Sequence, residues 1–170
     1  MSPVLRKSLL SIALIAPLLP ANGGVGASES EPVAMFSLSA TAPANHAGKL
    51  SLMHASLVST ELRQPDNFLL DAYCLVRFDK LRHDDGQAYS VAVAFRASDQ
   101  RVMTIAVTHK ATGWLVAAVK PDAFNAVIDL ARRTVVLRGV PSTQGRQAGW
   151  QLTIDGEAAF PAASGTAACG

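Results

Sequence analysis

From residue 33 onward, apolar and polar side chains alternate with a period of two along most of the chain. Only an extended strand with one face in the core and the other in solvent turns that period into a continuous buried surface. Tyr89, Val91, Val93 and Phe95 share one face, with Ser90, Ala92, Ala94 and Arg96 on the other. The next segment, Arg101 to Lys110, puts Met103, Ile105 and Val107 on one face and Thr104, Ala106 and Thr108 on the opposite one. The polar Ser98-Asp99-Gln100 between them reads as a hairpin connection, and Ala111-Thr112-Gly113 as a second, leading into a strand from Trp114 to Lys120. Upstream, Asn67 to Arg82 alternates with Leu70, Ala72, Cys74, Val76 and Phe78 on its apolar face, and His83-Asp84-Asp85-Gly86 turns it back. The centre of the chain is therefore an antiparallel meander.

Strand-like segments flank the meander at Val33 to Thr41, Lys49 to Ser59, Thr134 to Gly139 and Trp150 to Asp155. Asp122 to Arg133 fits two periods. Phe124, Val127, Ile128 and Ala131 have helical spacing, whereas Phe124, Ala126, Ile128 and Leu130 alternate as in a strand. The strand neighbourhood favours a hairpin turning at Ala131 to Arg133, with one short helix near 122–133 as the alternative. The expected fold is mainly β, an antiparallel sandwich or small barrel of about eight strands.

The amino terminus reads differently. Arg6 and Lys7 precede the apolar run Leu9 to Leu19, which ends at Pro20 and is followed by small residues through Ala27. This is the layout of a secretory signal peptide, and the run is shorter than the roughly 20 residues that span a bilayer. Cleavage is expected after Ala27, leaving a mobile leader at 28–32 and a single exported domain at 33–170 with a flexible C-terminal tail. No transmembrane anchor is expected in the mature chain, whose place is a periplasm or the extracellular space.

Charge narrows the class of partner. The whole chain has 15 Lys and Arg against 13 Asp and Glu. Residues 1–27 contribute Arg6 and Lys7 and no acid, so the remainder is balanced. Nucleic-acid binding calls for a concentrated basic face, and Arg132, Arg133 and Arg138 form only a small local cluster.

The only two cysteines are Cys74, on an apolar strand face, and Cys169, the penultimate residue. In an oxidising compartment a pair of this kind forms a disulfide. A bond between them closes a loop of roughly 100 residues, worth about 4 kcal/mol in the chain-entropy description.

Residues able to carry chemistry are scattered. His46, His54, His83 and His109, with Met35, Met53 and Met103, supply the soft and borderline ligands used by copper sites. The candidate ligands are Met53, His54, Met103 and His109. Met53 and His54 are adjacent and point to opposite faces of an extended strand, while Met103 and His109 share a face about 20 Å apart. Core methionines and surface histidines are the plainer reading. Gly-x-Ser-x-Gly, the phosphate loop and the dinucleotide fingerprint do not occur in the sequence, and no cofactor is expected. Asp71 and Asp79 lie too far apart along one strand to form a hydrolytic pair by themselves.

Trp114 and Trp150 each follow a glycine at the start of a strand, near the rim of a sheet. They are candidate partner contacts if exposed and core closures if buried. Three classes of function remain. The first is a non-catalytic exported β-domain that binds a protein or cell-envelope component, and the balance of features favours it. The others are a carrier of metal or a small apolar ligand, and a small hydrolase with an unrecognised site.

Overall fold

The computed structural model describes residues 31–42, 44–64, 71–113, 115–142, 144–145, 151–163 and 167–170. Among these residues the strands form one antiparallel sheet of eleven. They are β1 (Ala34–Ala42), β2 (Gly48–Leu52), β3 (Val58–Arg63), β4 (Tyr73–His83), β5 (Ala88–Arg96), β6 (Val102–His109), β7 (Leu115–Val119), β8 (Ala126–Asp129), β9 (Thr134–Pro141), β10 (Gln144–Gly145) and β11 (Gln151–Ala159). The order across the sheet is β10-β7-β6-β5-β4-β2-β1-β11-β9-β8, with β3 beside β4. The sheet curls into an open half-barrel.

The period of two translates into burial where it was read. On β5, Tyr89, Val91, Val93 and Phe95 have no exposed surface, and on β4 the same holds for Cys74, Val76 and Phe78. The ambiguous segment is strand: β8 runs through Ala126 and Ile128, both buried, and the chain reverses before β9 with Arg133 at φ 53°. The turn after β4 forms as its Asp-Gly chemistry requires, with Gly86 at φ 85° donating its N–H to the His83 carbonyl at 2.9 Å.

Two strand readings change. Lys49 to Ser59 is not one strand but two, β2 and β3, parted by a 3-10 turn at Ala55–Leu57. Both halves lie on the same edge of β4: β3 pairs with Tyr73 to Phe78, and β2 with Arg82 and His83. The changeover coincides with a bulge in β4 between Phe78 and Leu81, where Lys80 adopts φ 59°. A bulge bends the strand that carries it, and here the bend passes β4 from one edge partner to the next. The second change concerns β6. Ala94 pairs with Thr104 and Phe95 with Val102, leaving Met103 as an extra residue. That insertion turns Val102 inward and leaves Met103 half-buried, so Met103 and His109 no longer follow one uninterrupted alternation.

Curling brings distant strands face to face. Leu38, Ile105, Val107, Ala118, Val140, Leu152 and Ile154, from five strands, surround a void of only about 10 Å³. That is room for no more than about one water, so side chains fill this part of the interior. Phe36 and Phe78 meet edge to face at 5.4 Å in this core. Gly156 makes the close approach of β11 to β1 possible, since a Cβ there would fall on the Met35 carbonyl and the Phe36 Cα.

The two ends of β4 are closed differently. At its start, Cys74 is joined to Cys169 by a disulfide with Cα atoms 5.7 Å apart, which fixes the 3-10 turn Ala167–Cys169 against the sheet. Phe160 and Ala163 are buried with it. At its other end, His83 enters a cluster of rings.

Candidate functional site

Three of the four histidines are buried: His46 at 4% exposure, His83 at 6% and His109 at 3%. Each arrives by a different route. His46 ends the 3-10 turn Ala44–His46 between β1 and β2, His83 is the last residue of β4, and His109 the last of β6. Tyr89 on β5, fully buried, stands in the middle. Its ring centroid lies 4.8 Å from that of His109, 5.3 Å from His83 and 6.0 Å from His46, and the rings of His46 and His109 are 5.2 Å apart.

The register explains the convergence. Tyr89 pairs with His109 across β5 and β6, and with Leu81 across β4 and β5, two residues before His83. The inward alternation of β5 and β6, and of β4 beyond its bulge, thus delivers Tyr89, His109 and His83 to one end of the half-barrel. The connection between β1 and β2 folds over that end and adds His46. Gly48 makes this closure possible, because a Cβ there would lie inside the His83 ring.

Burial pushes the Tyr89 hydroxyl up to about 12, with the Asp85 charge adding to the effect, and the hydroxyl is hydrogen-bonded to His46 Nδ1 at 2.5 Å. His46 is buried beside it. Burial holds its basicity below the ordinary imidazole value, and the charges of His109 and His83 lower it further. His109, whose Nδ1 is 2.9 Å from the Thr112 hydroxyl, is lowered for the same leading reason.

His83 differs from the other two. Its Nδ1 lies 2.7 Å from the Asp85 carboxylate and its Nε2 3.2 Å from the Ala47 carbonyl oxygen. The Asp85 backbone N–H also points to His83 Nδ1, at 3.4 Å. Asp85 is itself held below the usual carboxylate range, first by the Gln87 amide and then by His83. The cluster thus packs three imidazoles around one buried phenol, with the Asp85 carboxylate beside His83.

The candidate residues read from the sequence separate. His109 enters the cluster, whereas Met53 and His54 are exposed and line an open groove of about 360 Å³ with Lys80 and Arg82. Trp114 and Trp150 lie outside the described residues. Among the described residues no group of three or more His, Cys, Asp or Glu is arranged to hold a metal ion, and no helix is long and apolar enough to cross a membrane. His46 and His83 are the residues that sequence reasoning did not join to His109. They are 37 positions apart, and the alternation through Cys74, Val76 and Phe78 puts His83 on the outward phase; the bulge between Phe78 and Leu81 turns it inward.

A second surface comes from the outward phase of β5 and β6. Ser90, Ala92 and Ala94 on β5 stand beside Thr108, Ala106 and Thr104 on β6, six adjoining positions without a charge. Leu75 on β4 extends the patch past Ala94. Its charged neighbours are at the rim and pair among themselves: Asp79 with Arg77 at 3.5 Å and Lys110 at 3.4 Å, and Arg96 with Asp99 at 2.9 Å and Asp71 at 3.3 Å. Compared with known proteins, the chain matches no family description, no curated protein and no solved structure.

Proposed function

We propose that this chain is an exported, non-catalytic β-domain that docks a protein partner on the outer face of β5 and β6. The observation that carries the reading is the uncharged block of half-buried Ala92, Ala94, Thr104, Ala106 and Thr108 beside buried Ser90, on the side of the sheet where an antiparallel strand ordinarily presents charge to water. Small side chains make the block flat, and the paired charges around it give the arrangement of a protein interface, an apolar centre inside a polar rim. Export is supported by the signal-like residues 1–27 and by the Cys74–Cys169 disulfide, a bond that persists in oxidising compartments.

A photo-crosslinking residue placed at position 92 or 106 of the full chain, produced in its own host, tests the proposal. The expected result is one discrete protein adduct at both positions and none at Gln87, a site in the β4–β5 turn. Ala92→Arg should weaken formation of that adduct at least tenfold, about 1.4 kcal/mol, while leaving the thermal transition in place. Adducts that are equally abundant from position 87 would remove the reading.

A further inference from the structure

We propose that the groove on the outer face of the β4 bulge, around Lys80 and Arg82, is a binding site for a ligand carrying several phosphate or sulfate groups. This goes beyond the docking reading and does not depend on it. The groove lies mainly over β4 and its edge partners β2 and β3, and its ligand is a cluster of oxyanions rather than an uncharged protein surface.

The bulge makes the charge dense. Between buried Phe78 and Leu81 it leaves two consecutive residues, Asp79 and Lys80, outside the core. Arg77, Asp79, Lys80 and Arg82 thus all face outward, one more than plain alternation over 77–82 would place there. Their neighbours in register are small and uncharged. Arg77 stands between Ser59 on β3 and Ala92 on β5, and Arg82 between Ser51 on β2 and Ala88 on β5. Such neighbours leave a recess and supply no counter-charge.

The recess has two limbs. One, of about 560 Å³, runs between residues 56–59 and the side chains of Arg77, Lys80 and Lys110. The other, of about 360 Å³, holds His54 and Arg82. Leu57 and Lys80 line both, so the limbs meet at the bulge. Together they gather Arg77, Lys80, Arg82 and Lys110 against Asp79 alone, a surplus of three positive charges in a chain that is balanced over residues 28–170.

That one carboxylate is already engaged, by Arg77 at 3.5 Å and Lys110 at 3.4 Å. Lys80 and Arg82 are exposed and make no ion pair with any described residue. A cleft lined by one sign of charge concentrates the other. A single carboxylate would leave most of the surplus uncompensated, whereas clustered oxyanions match it. The Arg82 guanidinium can meet two oxygens of one group, with Lys80 as a point charge beside it. The same two cations repel a metal ion from Met53 and His54, which line the second limb. Lys80 is held at φ 59° within its strand, a costly conformation for a non-glycine residue that recurs at functional sites, as bulges do.

Calorimetric titration of the full chain with tripolyphosphate tests the site. Binding should saturate at one ligand per chain and weaken as salt rises from about 50 to 200 mM. Backbone NMR shifts should move at residues 51–59 and 77–82 and stay in place at residues 134–137. Lys80→Gly, which removes the charge and suits the backbone, combined with Arg82→Gln should weaken binding at least tenfold. Arg101→Gln, which removes an exposed cation at the start of β6, should change it less than twofold. If the double variant fails to fold, Arg82→Gln alone must weaken binding at least threefold. Flotation with vesicles of anionic phospholipid identifies the source. Flotation that the double variant loses assigns the oxyanions to lipid headgroups, and tripolyphosphate binding without flotation assigns them to a soluble ligand. Neither binding nor flotation, either one undiminished in the double variant, or shifts confined to residues outside the groove would overturn the proposal.

Discussion

The Tyr89 hydroxyl and His46 Nδ1, 43 positions apart in sequence, meet at 2.5 Å inside a site from which water is largely excluded. The bond ties the β1–β2 connection to the middle of the meander. Removing the hydroxyl leaves the ring packing and takes away one partner of the bond. Tyr89→Phe is therefore expected to destabilise the domain by about 1–2 kcal/mol. The check is urea unfolding at pH 7.5, in which the midpoint should fall with little change in slope.

Stability should decline as the solution is acidified, and the sign follows from the two neutral histidines. In the unfolded chain His46 and His109 titrate near the ordinary 6.5, while in the folded chain burial holds both lower. Below 6.5 the unfolded state binds more protons, so acid favours it. The contribution is fully present above 6.5 and is lost progressively as pH falls toward the folded-state values. Denaturation midpoints measured from pH 8 to 5 should be flat at the upper end and fall below about 6.5. A profile that rises on acidification would contradict the neutral assignment of both rings.

Gly48 and His83 form a steric pair, since a Cβ on the glycine would occupy the space of the imidazole. Gly48→Ala should destabilise by about 1–3 kcal/mol, the range for overpacking a filled site. In a His83→Ala background the same substitution should cost measurably less, and the coupling energy from a double-mutant cycle reads the clash directly. Additive effects would mean that the glycine is required for its backbone alone.

Breaking the Cys74–Cys169 bond should release the carboxyl-terminal turn and enlarge the unfolded ensemble together. The two cysteines are separated by 95 positions, so Cys169→Ala is expected to lower stability by about 4 kcal/mol. Thermal unfolding with and without reductant gives the same comparison in the unmutated chain.

Lys80 is exposed, and a substitution there should still be felt, because its backbone lies at φ 59° within a strand. Lys80→Val places a β-branched residue where left-handed geometry is most strained, and a loss of about 1–2 kcal/mol is expected. Lys80→Gly should be close to neutral, since glycine adopts this conformation without penalty but has more freedom to lose. Chemical denaturation of the two variants side by side separates the backbone effect from loss of the charge.

The sequence by itself determined the antiparallel class, the inward faces of β4 and β5, most turns and the disulfide partners. Each depends on local rules: a period of two, turn residues that tolerate positive φ, and the pairing of the only two cysteines. It also carried the outward block on β5 and β6, because alternation assigns both faces at once. Local rules could not locate the bulges, since one extra residue at Lys80 or Met103 is a matter of pairing with a neighbouring strand. They could not show that β2 and β3 share an edge of β4, nor that the sheet curls until β6 and β7 face β9 and β11. The histidine cluster rests on those same long-range facts. His46, His83 and His109 lie on three elements whose ends meet only after the strands have paired in register, and only the tertiary structure decides which buried rings share one site.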